Sequence, residues 1–253
     1  MPRPPSPAPR HLPGTEVANL VETPSLTNVK VGLETIQDSG GAITVDGPPG
    51  TGKTFAADVI YHQLNIEGYW VAMPYKPRGK ETTARIHEAL TGQPVKMRTF
   101  TEYELLCDIV DYMSGRHVVL AIDEAQHLTA TSLNQLRYLY DHTDTKLVLL
   151  LVGAGLDKAI QRNCEPLRNR VERRVAFKHY KATEMARFLK DYHPMFANST
   201  TEVIRLIIDA AGGSVRTAAT ILKTALNLCE QPEQGITEKE ARAVLRLING
   251  VAA

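Results

Sequence analysis

The 253-residue sequence has little of what marks secreted, disulfide-stabilised or membrane-spanning proteins. Its three cysteines, Cys107, Cys164 and Cys229, are odd in number and far apart, so neither a disulfide framework nor a zinc site is expected. Apolar runs such as residues 118–122 are much shorter than the roughly 18 to 20 residues that a membrane-spanning helix needs. No apolar run follows Met1. We therefore expect a cytoplasmic protein with reduced thiols and no membrane segment.

Neither sign of charge is in excess. Lysine and arginine total 29 against 28 for aspartate and glutamate, a net charge of +1, so any nucleic-acid surface must come from local clustering. The histidines His62, His87 and His142 lack the spacing to Cys, Asp or Glu that a metal site requires. The apolar fraction of 43% is typical of a globular protein with a sizeable core.

Proline is concentrated at the start of the chain, where residues 1–13 hold six of the fifteen prolines, two arginines and no acid. Such a composition cannot bury enough apolar surface to fold. We therefore predict a Pro-rich disordered tail over residues 1–25. Strand and helix patterns alternate as far as residue 181, and amphipathic helices alone follow. These patterns predict an α/β domain over residues 26–181 and a helical lid domain over residues 182–253.

Five segments of the α/β region predict strands. They cover residues 42–46, 69–73, 117–123, 146–152 and 174–178, and two of them, 117–123 and 146–152, are the continuous apolar runs that buried parallel strands require. Thr101 with Glu104, and Thr237 with Glu240, have capping-box spacing at the starts of two helices. The fold class expected from the residues is therefore α/β, with a five-stranded sheet.

A glycine-rich turn separates the first predicted strand from the helix that follows it. Its residues, Gly47, Pro48, Pro49, Gly50, Thr51, Gly52, Lys53 and Thr54, match the P-loop pattern G-x-x-x-x-G-K-[ST] in the strand–loop–helix context that confirms it. Backbone N–H groups in such a loop surround a phosphate, and the helix N-terminus adds partial positive charge. Lys53 is expected to reach the β- and γ-phosphates, and the Thr54 hydroxyl to bind Mg²⁺. ATP and Mg²⁺ are the predicted cofactors.

Two acids, Asp123 and Glu124, end the apolar strand 117–123, seventy residues after Lys53. Asp123 is expected to hold the Mg²⁺ hydration shell. Glu124 is expected to polarise the attacking water, a general-base role suited to hydrolysis.

The P-loop, the Asp123–Glu124 strand end and the trailing helices resemble the AAA+ ATPases over residues 26–248. The resemblance implies a three-layer αβα core with strand order 5-1-4-3-2, a C-terminal helical lid, and ATP bound between the subunits of a ring or filament. Residues 123–128, Asp-Glu-Ala-Gln-His-Leu, are similar to the D-E-A-Q-x-L form found in transposition ATPases of the TnsC, TniB and MuB type, and in ExeA-like proteins.

Two further AAA+ elements follow from the resemblance, and at one position the chain departs from the family pattern. Arg170, with Arg168 as its alternative, lies in the segment that carries the arginine finger, which acts on a neighbouring subunit's γ-phosphate. Arg216 starts a lid helix at the sensor-2 position, where an arginine folds back onto the nucleotide. The fourth strand instead ends in Gly153-Ala154-Gly155, where many members place a polar sensor-1 side chain. Gln126 or Asn134 is the candidate substitute for that side chain.

A basic loop follows the second predicted strand. Between residues 73 and 98 there are six basic residues, Lys76, Arg78, Lys80, Arg85, Lys96 and Arg98, against the two acids Glu81 and Glu88. In the TnsC and MuB type this region lines the filament bore and contacts DNA. Lys76, Arg78 and Lys80, with the hydroxyl of Thr82, are therefore expected to contact the backbone of duplex DNA without reading its sequence. A solvated basic loop is the alternative, and a second basic cluster at residues 161–190 is the other candidate surface.

These observations predict an AAA+ ATPase that assembles with ATP on duplex DNA, as a ring or filament, and regulates transposition through a transposase. One alternative is a phage or plasmid replication ATPase such as a helicase loader. Another is an ExeA-like envelope-assembly motor, for which a membrane anchor and a peptidoglycan module would be expected.

Overall fold

Strands and helices alternate along the first two thirds of the computed structural model, which describes residues 12–64, 66–142 and 146–250. The elements in chain order are α1 (Pro24–Ile36), β1 (Gly41–Asp46), α2 (Lys53–Gln63), β2 (Glu67–Ala72), α3 (Gly79–Thr91), α4 (Glu102–Met113), β3 (His117–Asp123), α5 (Ala130–His142), β4 (Lys146–Gly153), α6 (Leu156–Asn163), α7 (Glu165–Arg168) and β5 (Val171–Ala176). The helices that follow are α8 (Ala182–Tyr192), α9 (Pro194–Asn198), α10 (Thr201–Ala211), α11 (Val215–Leu228) and α12 (Glu238–Ile248).

The five strands form one parallel sheet in the order β2-β3-β4-β1-β5. This is the predicted order 5-1-4-3-2 read from the other edge, and the prediction is confirmed. Ile122 pairs with Leu151, and Asp46 pairs with Gly153, so β3, β4 and β1 end at nearly the same level. Because the strands are parallel, their carboxyl ends meet at one edge of the sheet. The P-loop starts at this edge and the Asp123–Glu124 pair lies on it.

The central strands are buried along almost their whole length, because helices cover both faces of the sheet. One face packs against α3, α4 and α5, with Ile86, Ile109 and Leu136 among the buried side chains. On the other face, α1 approaches β1 so closely that a Cβ on Gly32 would overlap Ile43. The sheet is therefore the middle layer of an αβα core.

The chain divides into two compact units. One comprises Ser25–Gly47 and Ala56–Ala176, and holds the sheet. The other comprises residues 12–24, Pro48–Phe55 and residues 177–250. Its core is formed by helices α8 to α12, where Met185, Leu189, Ile207 and Leu222 are fully buried.

The structure corrects the prediction of a disordered tail over residues 1–25 for the part that it describes. Thr15 and Ala18 are buried, and the hydroxyl of Thr15 donates to Leu12 O at 2.7 Å. Asn19 N donates to Tyr192 O at 2.9 Å. Residues 12–23 therefore pack on the helical unit, and α1 starts at Pro24. Residues 1–11 lie outside the described residues.

Strand β5 and helix α9 also differ from the prediction. Strand β5 starts at Val171, three residues before the expected start, because this edge strand exposes Glu172, Arg173 and Arg174 and so has no apolar run. Helix α9 was not predicted; Pro194 occupies its first turn and His193 caps it. The capping boxes at Thr101 with Glu104 and at Thr237 with Glu240 are confirmed.

Candidate functional site

The P-loop is closed by hydrogen bonds from two of its side chains to one of its backbone carbonyls. Lys53 is 8% exposed, and its Nζ donates to Pro48 O at 2.7 Å. The hydroxyl of Thr51 donates to the same carbonyl at 2.8 Å. Gly50 and Gly52 have φ of 79° and 88°, which L side chains rarely adopt. Lys53 and Thr54 form the first turn of α2, so the loop leads directly into a helix N-terminus.

The start of helix α11 is hydrogen-bonded to the P-loop within the helical unit. Arg216 N donates to Gly50 O at 3.0 Å, and the Ser214 hydroxyl donates to the same oxygen at 3.4 Å. Ser214 also caps α11, because its hydroxyl accepts from Thr217 N. A Cβ on Gly50 would lie 2.5 Å from Ser214 Oγ, so glycine is required there for space as well as for its φ. The exposed side chain of Arg216, the sensor-2 candidate, therefore begins beside the phosphate-binding loop.

The sheet edge carries three acids with different environments. Asp46, at the end of β1, accepts hydrogen bonds from Leu156 N and Asp157 N, both at 3.1 Å, and so caps α6. Asp123 is 9% exposed and accepts from Glu124 N at 2.9 Å. Glu124 has an exposed side chain and a left-handed backbone with φ 55°. Asp123 is thus the sheltered acid and Glu124 the accessible one.

The residues present fit a nucleotide and a hard cation. Left-handed glycines and a helix N-terminus offer backbone N–H groups to an anion. The Thr54 hydroxyl and the Asp123 carboxylate are oxygen ligands of the kind that Mg²⁺ prefers. No cluster of three or more His, Cys, Asp or Glu side chains suited to another metal occurs in the described residues.

Of the two proposed substitutes for the sensor-1 side chain, only Gln126 contacts Glu124. Gln126 Nε2 donates to Glu124 Oε2 at 2.5 Å, and Gln126 Oε1 accepts from Ala154 N at 3.0 Å. Asn134 lies on α5, where its amide donates to Ala130 O and accepts from the thiol of Cys164. His127 Nε2 lies 3.7 Å from Glu124 Oε2. The sequence offered no signal for these distances.

The two arginine-finger candidates have different partners. Arg170 forms an ion pair with Asp141, Nε to Oδ1 at 2.5 Å, and its Nη1 donates to Pro166 O at 2.7 Å. Arg168 Nε is buried and has no hydrogen-bond partner among the residues that the structure describes. Asp141 was not a candidate in the sequence, because a single acid 29 residues upstream carries no pattern.

The basic loop after β2 presents two of its predicted DNA contacts to solvent. Lys76 is exposed, has φ 48°, and places its Nζ 5.1 Å from the centre of the Tyr75 ring. Arg78 is exposed at the start of α3. Lys80 is half-buried and donates to Met97 O at 2.5 Å. The loop at residues 92–101, with Lys96 and Arg98, therefore borders the same surface.

The structure corrects the prediction that the hydroxyl of Thr82 contacts DNA. Its side chain is fully buried, and its hydroxyl is hydrogen-bonded to that of Ser132 on α5 at 2.7 Å. The neighbouring Thr83 is also buried, with its hydroxyl bonded to Gly79 O. Neither hydroxyl is available to a DNA phosphate in this fold, because α3 turns this face toward α5.

Three features are now combined in one chain: the parallel sheet order β2-β3-β4-β1-β5, a glycine-rich loop between β1 and α2, and an Asp–Glu pair after β3. Residues 36–160 match a family model described as an AAA domain. The chain has the AAA+ fold. The predicted α/β P-loop NTPase architecture is therefore confirmed.

Solved structures with the same fold superpose on most of the chain. Cdc6p from Pyrobaculum aerophilum is 20% identical with a TM-score of 0.70, over 94% of this chain and 69% of that one. The ORC1 protein of Aeropyrum pernix, solved in complex with DNA, is 16% identical with a TM-score of 0.65, over 88% and 64% of the two chains. At these identities the similarity concerns the fold.

A curated relative is similar over a shorter part of its length. General secretion pathway protein A of Aeromonas hydrophila is 26% identical over 173 residues, which is 62% of this chain. The match covers 29% of that relative. This chain thus spans less than a third of the length of that relative. No helix in the described ranges is both long and apolar enough to cross a membrane.

Proposed function

We propose that this chain is an AAA+ ATPase that binds ATP and Mg²⁺, assembles through sites shared between subunits, and loads on duplex DNA without sequence preference. The observation that carries the proposal is the placement of the sheltered Asp123 beside the accessible Glu124 at the carboxyl edge of a sheet whose β1 leads into a P-loop. Lys53 and Thr54 hold the phosphates and the cation, and Asp123 holds the cation from the sheet. Glu124 accepts the proton of the attacking water.

The exposed basic loop supports DNA as the partner. Lys76 and Arg78 offer two solvent-facing cations on one short segment, and the loop with Lys96 and Arg98 borders it. Phosphate contacts of this kind give affinity without base recognition. Residues 123–128 are similar to those of transposition ATPases. From this similarity we further propose a finer assignment, that the protein coats DNA in the presence of ATP, as a ring or filament, and directs a transposase.

A set of four proteins tests the ATPase assignment. Wild-type protein is expected to bind and hydrolyse ATP with Mg²⁺. Lys53→Ala should abolish ATP binding, because its ammonium is the main side-chain charge on the β- and γ-phosphates. Glu124→Gln should keep ATP binding and lower turnover by about 10²- to 10⁴-fold, since an amide does not accept the proton. Lys158→Ala, an exposed lysine on α6, is the matched control. Unchanged ATP affinity in Lys53→Ala would contradict the P-loop assignment.

Electron micrographs with ATP and duplex DNA test the assembly. We expect protein-coated DNA with Glu124→Gln and ATP, because hydrolysis no longer removes the assembled state. Closed rings that form without DNA would favour the helicase-loader alternative. Co-purification with a co-expressed transposase, against a replicative helicase as the competing partner, tests the finer assignment.

A motor for envelope assembly is the second candidate, favoured by the similarity to general secretion pathway protein A. Co-sedimentation distinguishes the two functions. Binding to duplex DNA and not to purified peptidoglycan sacculi supports the first proposal. Binding to sacculi with no ATP-dependent DNA binding would support the second.

A further inference from the structure

We propose that Gln126 is a positioning residue for Glu124, and that it takes the place of a polar side chain at the end of β4. The inference rests on the proposed ATPase function. It begins with the end of β4, where Gly153, Ala154 and Gly155 carry no polar side chain. The polar group beside Glu124 comes instead from the turn that follows β3.

Gly153 leaves room for the Gln126 carboxamide and has no special backbone conformation. Its φ is not in the left-handed region. A Cβ at this position would overlap Gln126 Oε1 and lie 3.1 Å from Gln126 N. The room that a side chain on residue 153 would occupy is therefore filled by the carboxamide of Gln126.

The carboxamide of Gln126 has only one orientation that satisfies both of its partners. Ala154 N can only donate, so the atom facing it at 3.0 Å must be Oε1. An ionised Glu124 carboxylate can only accept, so the atom facing it at 2.5 Å must be Nε2. Gln126 thus connects the backbone at the end of β4 with one oxygen of the Glu124 carboxylate.

The backbone of the turn brings Gln126 and Glu124 together. Glu124 has φ 55°, and residues 125–127 form a single 3-10 turn after it. A left-handed glutamate is uncommon and persists where surrounding contacts hold it. In this turn the side chains two residues apart meet, and His127 Nε2 lies 3.7 Å from Glu124 Oε2.

This arrangement assigns a specific task to Gln126. Its amide donor fixes one oxygen of Glu124 and leaves the other for the proton of the attacking water. The position of that donor is set by Ala154, directly after β4, and β4 pairs with β1, which leads into the P-loop. Removing the donor should therefore loosen the base without disturbing nucleotide binding, and it should lower kcat while the KM for ATP stays the same.

Gln126→Glu is the sharpest variant, because it has the same shape and keeps an acceptor for Ala154 N. It loses the donor to Glu124 and places a second carboxylate against it. We expect kcat to fall by about 10- to 100-fold, the effect of losing a hydrogen bond to a charged group. The Kd and KM for ATP should stay within about twofold of wild type. Gln161→Ala, which removes an exposed amide on α6, should keep wild-type kcat.

A double-mutant cycle tests the link to β4 independently of folding defects in one variant. Gly153→Ala should lower kcat to about the level of Gln126→Ala, because the added Cβ displaces the carboxamide. Adding Gly153→Ala to Gln126→Ala should then cost little more, since the displaced group is already gone. Losses that multiply in the double variant would overturn the inference, as would wild-type kcat in both Gln126→Ala and Gln126→Glu.

Failure of the inference and failure of the proposed function give different results. If wild-type protein hydrolyses ATP and Glu124→Gln does not, the function stands and the Gln126 variants alone decide the inference. Lack of turnover in the wild-type protein, or full turnover in Glu124→Gln, would overturn the proposed function and the inference with it. Thermal unfolding and ATP binding of each variant show whether a lost kcat reflects misfolding.

Discussion

Arg170 and Asp141 face each other as a two-pronged ion pair, with Nε to Oδ1 at 2.5 Å and Nη2 to Oδ2 at 2.8 Å. Arg137 on α5 donates to the same carboxylate at 2.9 Å. The guanidinium fork fits a phosphate as well as a carboxylate. An Arg170 that acts on a neighbouring subunit's nucleotide must therefore exchange Asp141 for a γ-phosphate, while Arg137 remains to balance Asp141.

The first prediction concerns this exchange. Arg170→Ala should leave ATP binding by the isolated subunit within about twofold of wild type and lower hydrolysis by the assembled protein by about 10³-fold or more, as loss of an arginine finger does. Arg162→Ala, which changes an exposed arginine on α6, is the matched control and should leave hydrolysis nearly unchanged. The measurements are ATP titration and steady-state turnover at increasing protein concentration.

Mixing two inactive variants tests whether Arg170 acts between subunits. Inactive Arg170→Ala and inactive Lys53→Ala chains should recover part of the activity together, because each supplies the half-site that the other lacks. No recovery at any ratio, with mixed assembly shown separately, would argue against a role in trans. A defect in Arg168→Ala but not in Arg170→Ala would move the finger to Arg168, whose buried Nε has no partner in the described part of the chain.

The second prediction concerns Arg216 at the start of α11. Arg216→Ala should weaken ATP binding by about tenfold, the usual effect of losing one hydrogen bond to a charged group. The helix should stay in place, because its bond to the P-loop is made by the backbone N of Arg216 and by Ser214. Arg205→Ala, an exposed arginine on α10, is the control. Wild-type ATP affinity in Arg216→Ala would leave only a structural role for this position.

Local patterns explain how much of this site was predictable. The P-loop and the Asp123–Glu124 pair each occupy a few consecutive residues, and hydrophobic patterning places them at strand ends. The capping boxes at Thr101 and Thr237 are local for the same reason. Strand order, by contrast, depends on which apolar faces pack together, and it came from the resemblance to AAA+ proteins rather than from periodicity.

The features of the site that the sequence does not predict depend on contacts between segments that are far apart along the chain. Thr82 looked like a surface hydroxyl beside three basic residues, but α3 packs it against Ser132, fifty residues away. The Arg170–Asp141 pair requires α5 to lie beside the segment after α7. A pattern search does not detect such pairs, because neither partner has a characteristic neighbour along the chain.

The third prediction concerns pH and the helical unit. His193 is 2% exposed and caps α9, where its Nδ1 accepts from Met195 N at 3.1 Å. Burial holds the pKa of His193 below its usual value of 6.5, although Glu233 opposes this shift. The unfolded chain therefore takes up the proton first as the pH falls, so the stability that depends on neutral His193 is present above pH 6.5 and is lost below it.

His193→Asn isolates this contribution, because asparagine keeps a capping oxygen and does not titrate. Thermal unfolding at pH 7.5 and pH 5.5 should show a smaller loss of Tm in the variant than in the wild type. Equal losses would mean that His193 does not contribute to the pH dependence. His179→Asn, at an exposed histidine of the same unit, serves as the control.

The last prediction concerns the basic loop. Changing Lys76, Arg78 and Lys80 together to alanine should weaken duplex binding equally for unrelated sequences, because phosphate contacts carry no sequence information. Each lost contact should make the slope of log K against log salt shallower by about 0.9, so the triple variant should change it by up to about 2.7. Lys80 is bonded to Met97 O, so Lys76→Ala with Arg78→Ala should account for about 1.8 of that change. ATP turnover without DNA should survive, since the basic loop follows β2, whereas the P-loop follows β1 and the Asp123–Glu124 pair follows β3.

Two control variants make this result specific. Lys146→Ala removes an exposed lysine at the start of β4. This lysine lies at the amino ends of the parallel strands, whereas the basic loop follows the carboxyl end of β2, so the salt slope should stay unchanged. Thr82→Val removes a buried hydroxyl and should also leave the slope unchanged, although it removes a hydrogen bond to Ser132. Wild-type affinity and slope in the triple variant would show that the loop is only a solvated surface. The basic residues at 161–190 would then become the surface to test, beginning with Arg173 and Arg174, which β5 exposes at the edge of the sheet.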